Sequence, residues 1–247
     1  MTTINSNSNP FPGTRKYAVT AGSALLLMAI AAIFSFGFVQ STLVVAHDPA
    51  TTFSNLQSEK NLFLAGVSGW VIIFLLDALV AWTLYLFFRA QNQRLSLLMA
   101  ALRLGYTVVL GIAILQFIPV IKLLSQTEPV VAAETIMYHF ASFEKIWSLG
   151  LIVFGFHLLL LGFLALKAKT IPQIFGILLI LAAVIYVLIH SAKQLFPVHE
   201  AQIVTIETWL SLPMAVGEIG FAIWLVIRGG KPVKERILYK ANSPNPS

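Results

Sequence analysis

The chain contains no cysteine, which excludes disulfides, thiolate metal sites and cysteine nucleophiles. It leaves the compartment open, because a cysteine-free chain suits either side of a membrane. Charge is also scarce. Only 11% of the 247 residues are Asp, Glu, Lys or Arg, against about a quarter in a soluble domain. There is no glycine-rich phosphate loop, no GxSxG elbow, no HExxH pair and no paired-carboxylate motif. The motifs therefore call for no cofactor and no metal. No internal repeat stands out.

What is present is apolar sequence, 58% of the chain, with a mean hydropathy of +0.85. At about 20 residues per helical span, a chain of this length holds six or seven spans and little else. The pattern predicts an all-α polytopic membrane bundle of six transmembrane helices, with spans near 17–45, 61–88, 95–124, 146–166, 172–196 and 208–227. Residues 1–16, rich in Asn, Ser and Thr, are expected to form a disordered cytoplasmic N-terminus. The six-helix domain then covers 17–228, and 229–247 is a basic, partly disordered cytoplasmic tail. The first apolar run is too long for the core of a cleavable signal. Residues 46–60 and 197–207 read as polar loops. The longest connection, 125–145, carries Val130, Ala133, Met137 and Phe140 at helical spacing. It reads as a short helix on the membrane surface or as an unstructured loop.

Basic residues set the orientation. The N-terminus, the turns near 89–94 and 167–169, and the C-terminal tail together carry eleven Lys or Arg against the single acid Glu235. The opposite loops carry four basic residues against seven acidic ones. The positive-inside rule places both termini in the cytoplasm. The net charge of +6 therefore comes from span ends rather than a basic patch, which argues against nucleic acid as a partner. Trp147 and Trp209 open spans 4 and 6 and Trp224 closes span 6, where interface aromatics belong.

Four spans each carry one ionisable residue in the middle. Counted at 1.5 Å per residue from the cytoplasmic span ends, Asp77, Arg103, His157 and Glu218 lie about 13–16 Å deep. Each must face protein or water there and should have a partner. Asp77 and Arg103, on neighbouring antiparallel spans, are expected to pair, with Glu218 as a second acceptor for the five-donor guanidinium. Tyr106 and Thr107 share the face of Arg103. Gly155 and Gly162 lie on a different face of span 4 from His157, so His157 should point at a different neighbour. A stripe of Tyr186, His190 and Lys193 lies toward the outer end of span 5.

Several stretches carry a resemblance: SEKNLFLAG and DALVAWTLY in span 2, ALRLGY in span 3, GLIVFGFHLLLLGFL in span 4, IPQIFGILLILAAVIY in span 5 and GEIGFAIWLVIRG in span 6. Over residues 15–230 the chain resembles the bacterial membrane family called domain of unknown function 4386. The segment around His157 is the most specific piece. The resemblance implies a six-span protein of the bacterial inner membrane. It marks Glu59, Asp77, Arg103, His157 and Glu218 as recurrent polar positions and gives none a role.

Three functions remain open from sequence. In the first, Asp77, Arg103, His157 and Glu218 form a central site that binds or transports a small molecule or ion, reached from outside past Glu59, Tyr106, Tyr186 and His190. In the second, the protein is an intramembrane enzyme using His157 and Glu218 as acid/base groups or metal ligands. In the third, it is a scaffold or regulator that meets a copy of itself or another membrane protein, and the polar layer is structural.

Overall fold

The computed structural model describes residues 14–125 and 129–231, and every regular element among them is helical. Six helices are long and apolar enough to cross a membrane: Thr14–Leu43, Lys60–Phe88, Gln93–Leu123, Val130–Lys167, Gln173–Leu195 and Pro197–Ile227. In hydrocarbon each backbone N–H and C=O must be satisfied within its own segment, which is why such apolar runs become helices. The protein is a multi-pass membrane protein, and these helices are spans 1 to 6.

The spans form a ring in chain order. Each packs beside the next, and span 6 returns to span 1. Short connections explain the antiparallel neighbours. Between spans 2 and 3, Asn92 accepts from the backbone N–H of Leu95 at 3.0 Å and starts the next helix. Span 6 has no such tether to span 1. There the Arg15 guanidinium donates to the carbonyls of Leu225, Val226 and Gly229, which are acceptors that the end of a helix leaves unpaired. Beside it, a Cβ added at Gly22 would lie 2.6 Å from the carbonyl oxygen of Ala222. The two ends of the described chain therefore sit at the same end of the bundle. Arg15→Gln should lower stability by about 1.5–3 kcal/mol, the range for hydrogen bonds to charged groups. Thermal unfolding in detergent would read this.

Several boundaries differ from the sequence reading. Thr14, Arg15 and Lys16 form the first turn of span 1. Residues 1–13 and 232–247, which carry most of both expected disordered ends, lie outside the described residues. The segment 129–145 is neither a surface helix nor a loop. It belongs to one continuous helix, Pro129–Lys167, of 39 residues. Ala133, Ile136, Phe140 and Phe143 are buried, and Phe140 meets Phe63 and Phe117. The apolar stripe thus packs against protein instead of lipid headgroups. Residues 200–207 are likewise the first turns of span 6. Span 3 tightens between Ile114 and Phe117, where Pro119 has no N–H to offer Leu115. Span 1 holds a π-helical segment, Ile33–Gln40.

The short helix that does lie beside the bundle is Pro49–Ser58, in a segment read as loop. Asp48 caps it, accepting from the Thr51 N–H at 3.0 Å and the Thr51 hydroxyl at 2.7 Å. These bonds hold the Asp48 carboxyl below its ordinary pKa of 3.8. A lowered folded pKa contributes stability above the unfolded value and loses it as pH falls through the folded one. Protection of the Pro49–Ser58 amides, taken relative to intrinsic exchange, should therefore fall below about pH 4, the unfolded carboxyl range, and Asp48→Ala should show that lower protection already at neutral pH.

Candidate functional site

The charged layer is built on adjacent spans. Arg103 Nη2 lies 2.6 Å from Asp77 Oδ1, and the two residues are 1% and 0% exposed. Spans 2 and 3 are antiparallel across a tight turn, so the long arginine side chain covers the one-turn difference in depth. His157 reaches the same guanidinium. Its Nε2 is 3.1 Å from Arg103 Nη1, and its Nδ1 is 2.9 Å from the Met99 carbonyl oxygen. A guanidinium only donates, so Nε2 accepts, and Nδ1 carries the proton that it gives to Met99. This partner set defines a neutral histidine with a fixed tautomer. Phe154 lies under the guanidinium at 5.4 Å.

His157 takes the place expected for Glu218. Span 4 adjoins span 3 in the ring, whereas span 6 lies across it. Glu218 therefore faces Arg103 across a space and finds the Tyr186 hydroxyl instead. The glycines of span 4 follow the same logic. Gly155 and Gly162 pack on span 5, against Ala183 and Gly176, while His157 turns toward span 3.

The space inside the ring is a cavity of about 400 Å³ lined by all six spans. Asp77, Arg103 and Glu218 form one end of it, and His190, Glu207 and Ser211 line the other. The eleven residues from Glu207 to Glu218 measure about 16 Å along a helix. Between these ends the wall is aromatic: Trp70, Tyr106, Trp147, Phe154 and Tyr186. Tyr106 accepts from the Trp147 indole at 3.3 Å rather than joining Arg103, while the Thr107 hydroxyl donates back to the Arg103 carbonyl. Tyr186 stacks on His190 with centroids 5.9 Å apart. His190 Nδ1 is 2.9 Å from the Ser148 hydroxyl. Glu207 pairs with Lys193 and approaches His190 Nε2 at 3.6 Å.

Two candidate residues lie outside this space. Glu59 sits at the corner between the helix Pro49–Ser58 and span 2 and is not part of the lining. It occupies the N-cap position of span 2 without a side-chain capping hydrogen bond. His157 lies behind Arg103, with no exposure. Trp147, read as an interface aromatic, points inward and meets Trp70 and Phe143. The helix begins at Pro129, so Trp147 falls well inside span 4 and forms cavity wall. Glu207, assigned to a loop by sequence, is a cavity residue. Its distance of eleven residues from Glu218 is close to three helical turns and puts both on one face.

Polar atoms at the charged end are incompletely paired. Asp77 Oδ2 and Arg103 Nε are buried without a hydrogen-bond partner, and Asp77 Oδ1 touches Arg103 without hydrogen-bond alignment. Among the described residues, no three His, Asp or Glu side chains converge as a metal site requires.

Six membrane spans ringed around a charged, aromatic-walled pocket define a multi-pass membrane protein with an intramembrane cavity. The chain belongs to the family described as domain of unknown function (DUF4386), which it matches over residues 20–229. A protein of Archaeoglobus fulgidus, described as uncharacterized, is 28% identical over 165 residues, 67% of this chain and 84% of its own length. No solved structure matches the chain.

Proposed function

We propose that the protein binds or transports a small molecule or ion in the central cavity, with Asp77, Arg103 and Glu218 as its polar end and Tyr106, Tyr186 and His190 along the access path. One observation carries this reading. Asp77 and Arg103, buried charged residues with unused hydrogen-bonding capacity, belong to the lining of a cavity of about 400 Å³, within the roughly 300–1,000 Å³ of ligand pockets. Intramembrane charges that only pinned helices together would be fully paired and dry. His157 acts here by holding the guanidinium in place. The acid/base reading has less support, since both of its ring nitrogens are occupied and it does not reach the cavity. We place the protein in the cytoplasmic membrane of a bacterium, with both termini inside. The charge asymmetry of the loops and the family resemblance support this.

Cysteine labelling tests it cleanly, because the chain has no cysteine of its own. Met28→Cys and Met214→Cys, whose side chains line the cavity from within the bundle, should react with a membrane-impermeant, uncharged maleimide added outside intact cells. A thiol in lipid stays protonated and inert, so the reaction reports an aqueous path. Silence at both positions, with reaction at the control Ala201→Cys, would overturn the proposal. Labelling only in inverted vesicles would overturn the orientation alone.

A further inference from the structure

The balance of charge around the cavity says what kind of ligand it takes, given that it takes one. Arg103 is matched by Asp77 at 2.6 Å, and His157 presents it with a neutral acceptor. At the other end Glu207 is matched by Lys193. Of the ionisable groups in the lining, Glu218 has the Tyr186 hydroxyl beside it and the Arg103 guanidinium, already paired with Asp77, only at a distance. Asp77, fully buried in the same lining, keeps one carboxylate oxygen free of any hydrogen-bond partner. The surplus is negative, and it lies at the bottom of a space walled by Trp70, Tyr106, Trp147, Phe154 and Tyr186.

A carboxylate below aromatic faces suits an organic cation. The rings attract positive charge through their quadrupoles and cover the apolar body. An organic anion would find the one lining arginine already committed to Asp77. The flank between spans 1 and 6 adds a second observation. Ile33, Ser211 and Ala215 line the cavity and are exposed at the same time, Ile33 by 67%. The cavity therefore reaches the lipid side of the ring, beyond the close contact of Gly22 with Ala222. A ligand that partitions into the bilayer could enter there.

We infer that the ligand is a lipophilic organic monocation, an amine or quaternary ammonium with an apolar body, whose charge rests against Glu218. This rests on the binding function proposed above.

The test uses purified full-length protein in lipid nanodiscs and the fluorescence of Trp70 and Trp147, both in the cavity wall. Three probes of similar size are titrated: benzyltrimethylammonium, benzyl alcohol and phenylacetate. The cation should change the emission saturably, at least tenfold tighter than either other probe. Glu218→Gln should weaken the cation at least tenfold and leave benzyl alcohol unchanged. Glu218→Asp, which keeps the charge, should stay within a few-fold of the parent and separates charge loss from misfolding. Equal or tighter binding of phenylacetate would overturn the inference and move the recognition to Arg103. Equal binding of benzyl alcohol would overturn it while leaving a binding cavity. Saturation by none of the three would overturn the ligand class. The cysteine labelling then decides separately whether the cavity is an aqueous site at all.

Discussion

Arg103→Met is expected to destabilise the protein by about 3–5 kcal/mol, the usual result of leaving a buried charge without its partner. Asp77 has no exposure and its only charged contact is the guanidinium. The substitution also strips His157 Nε2 of its donor and leaves the imidazole held only through Met99. The effect should be strongly non-additive. Asp77→Asn combined with Arg103→Met removes both charges, and the double variant should recover most of the lost stability. Thermal unfolding of the parent, Asp77→Asn, Arg103→Met and the double variant in one detergent gives the coupling energy directly. Binding should not recover with the fold: the double variant is expected to fold and to lose ligand. A double variant no more stable than Arg103→Met would mean that the pair matters through packing rather than charge.

Gly162→Leu is expected to cost about 1–3 kcal/mol or more, as overpacking of a closely fitted core does. An added Cβ would sit 3.0 Å from the Gly176 carbonyl oxygen and 2.6 Å from Ile180 Cγ1. Backbone cannot yield as a flexible side chain tip can, so spans 4 and 5 would have to separate. Their contact is the close approach that small residues permit in membranes, where the hydrophobic effect does not drive helices together. A wedge there would also shift Phe154 and Tyr186, which meet edge-on at 5.3 Å across the same interface. Stability and cavity binding should therefore fall together. Gly37→Leu is the control, since no atom lies within 4 Å of an added Cβ, and it should change neither.

Much of this protein was legible in its sequence, and the legible parts have a common cause. A span is a local object, fixed by about 20 apolar residues and the need to satisfy its own backbone. Hence the number of spans could be counted, and the central depth of Asp77, Arg103, His157 and Glu218 followed from 1.5 Å per residue. The contact of Asp77 with Arg103 was reachable too, because a tight turn makes spans 2 and 3 neighbours. The glycine face and the histidine face of span 4 could be separated from helical periodicity alone.

The misread parts all depended on which surfaces meet. Val130–Phe140 looked like a membrane-surface stripe because nothing local shows that Phe63 and Phe117 cover Phe140. Trp147 reads as an interface residue from its position in the chain, and nothing local shows that Trp70 and Phe143 make it part of the cavity wall. Glu218 was assigned to Arg103 by depth, and depth says nothing of position around a ring. The sequence by itself determined the number of spans and the level of their charges, because each is set within one segment by hydropathy and rise. Only the tertiary structure decided that span 6 closes on span 1 through Arg15, that His157 and not Glu218 meets Arg103, and that a cavity remains between them. Those outcomes rest on contacts between segments far apart in the chain, whose complementarity appears only once the helices are packed.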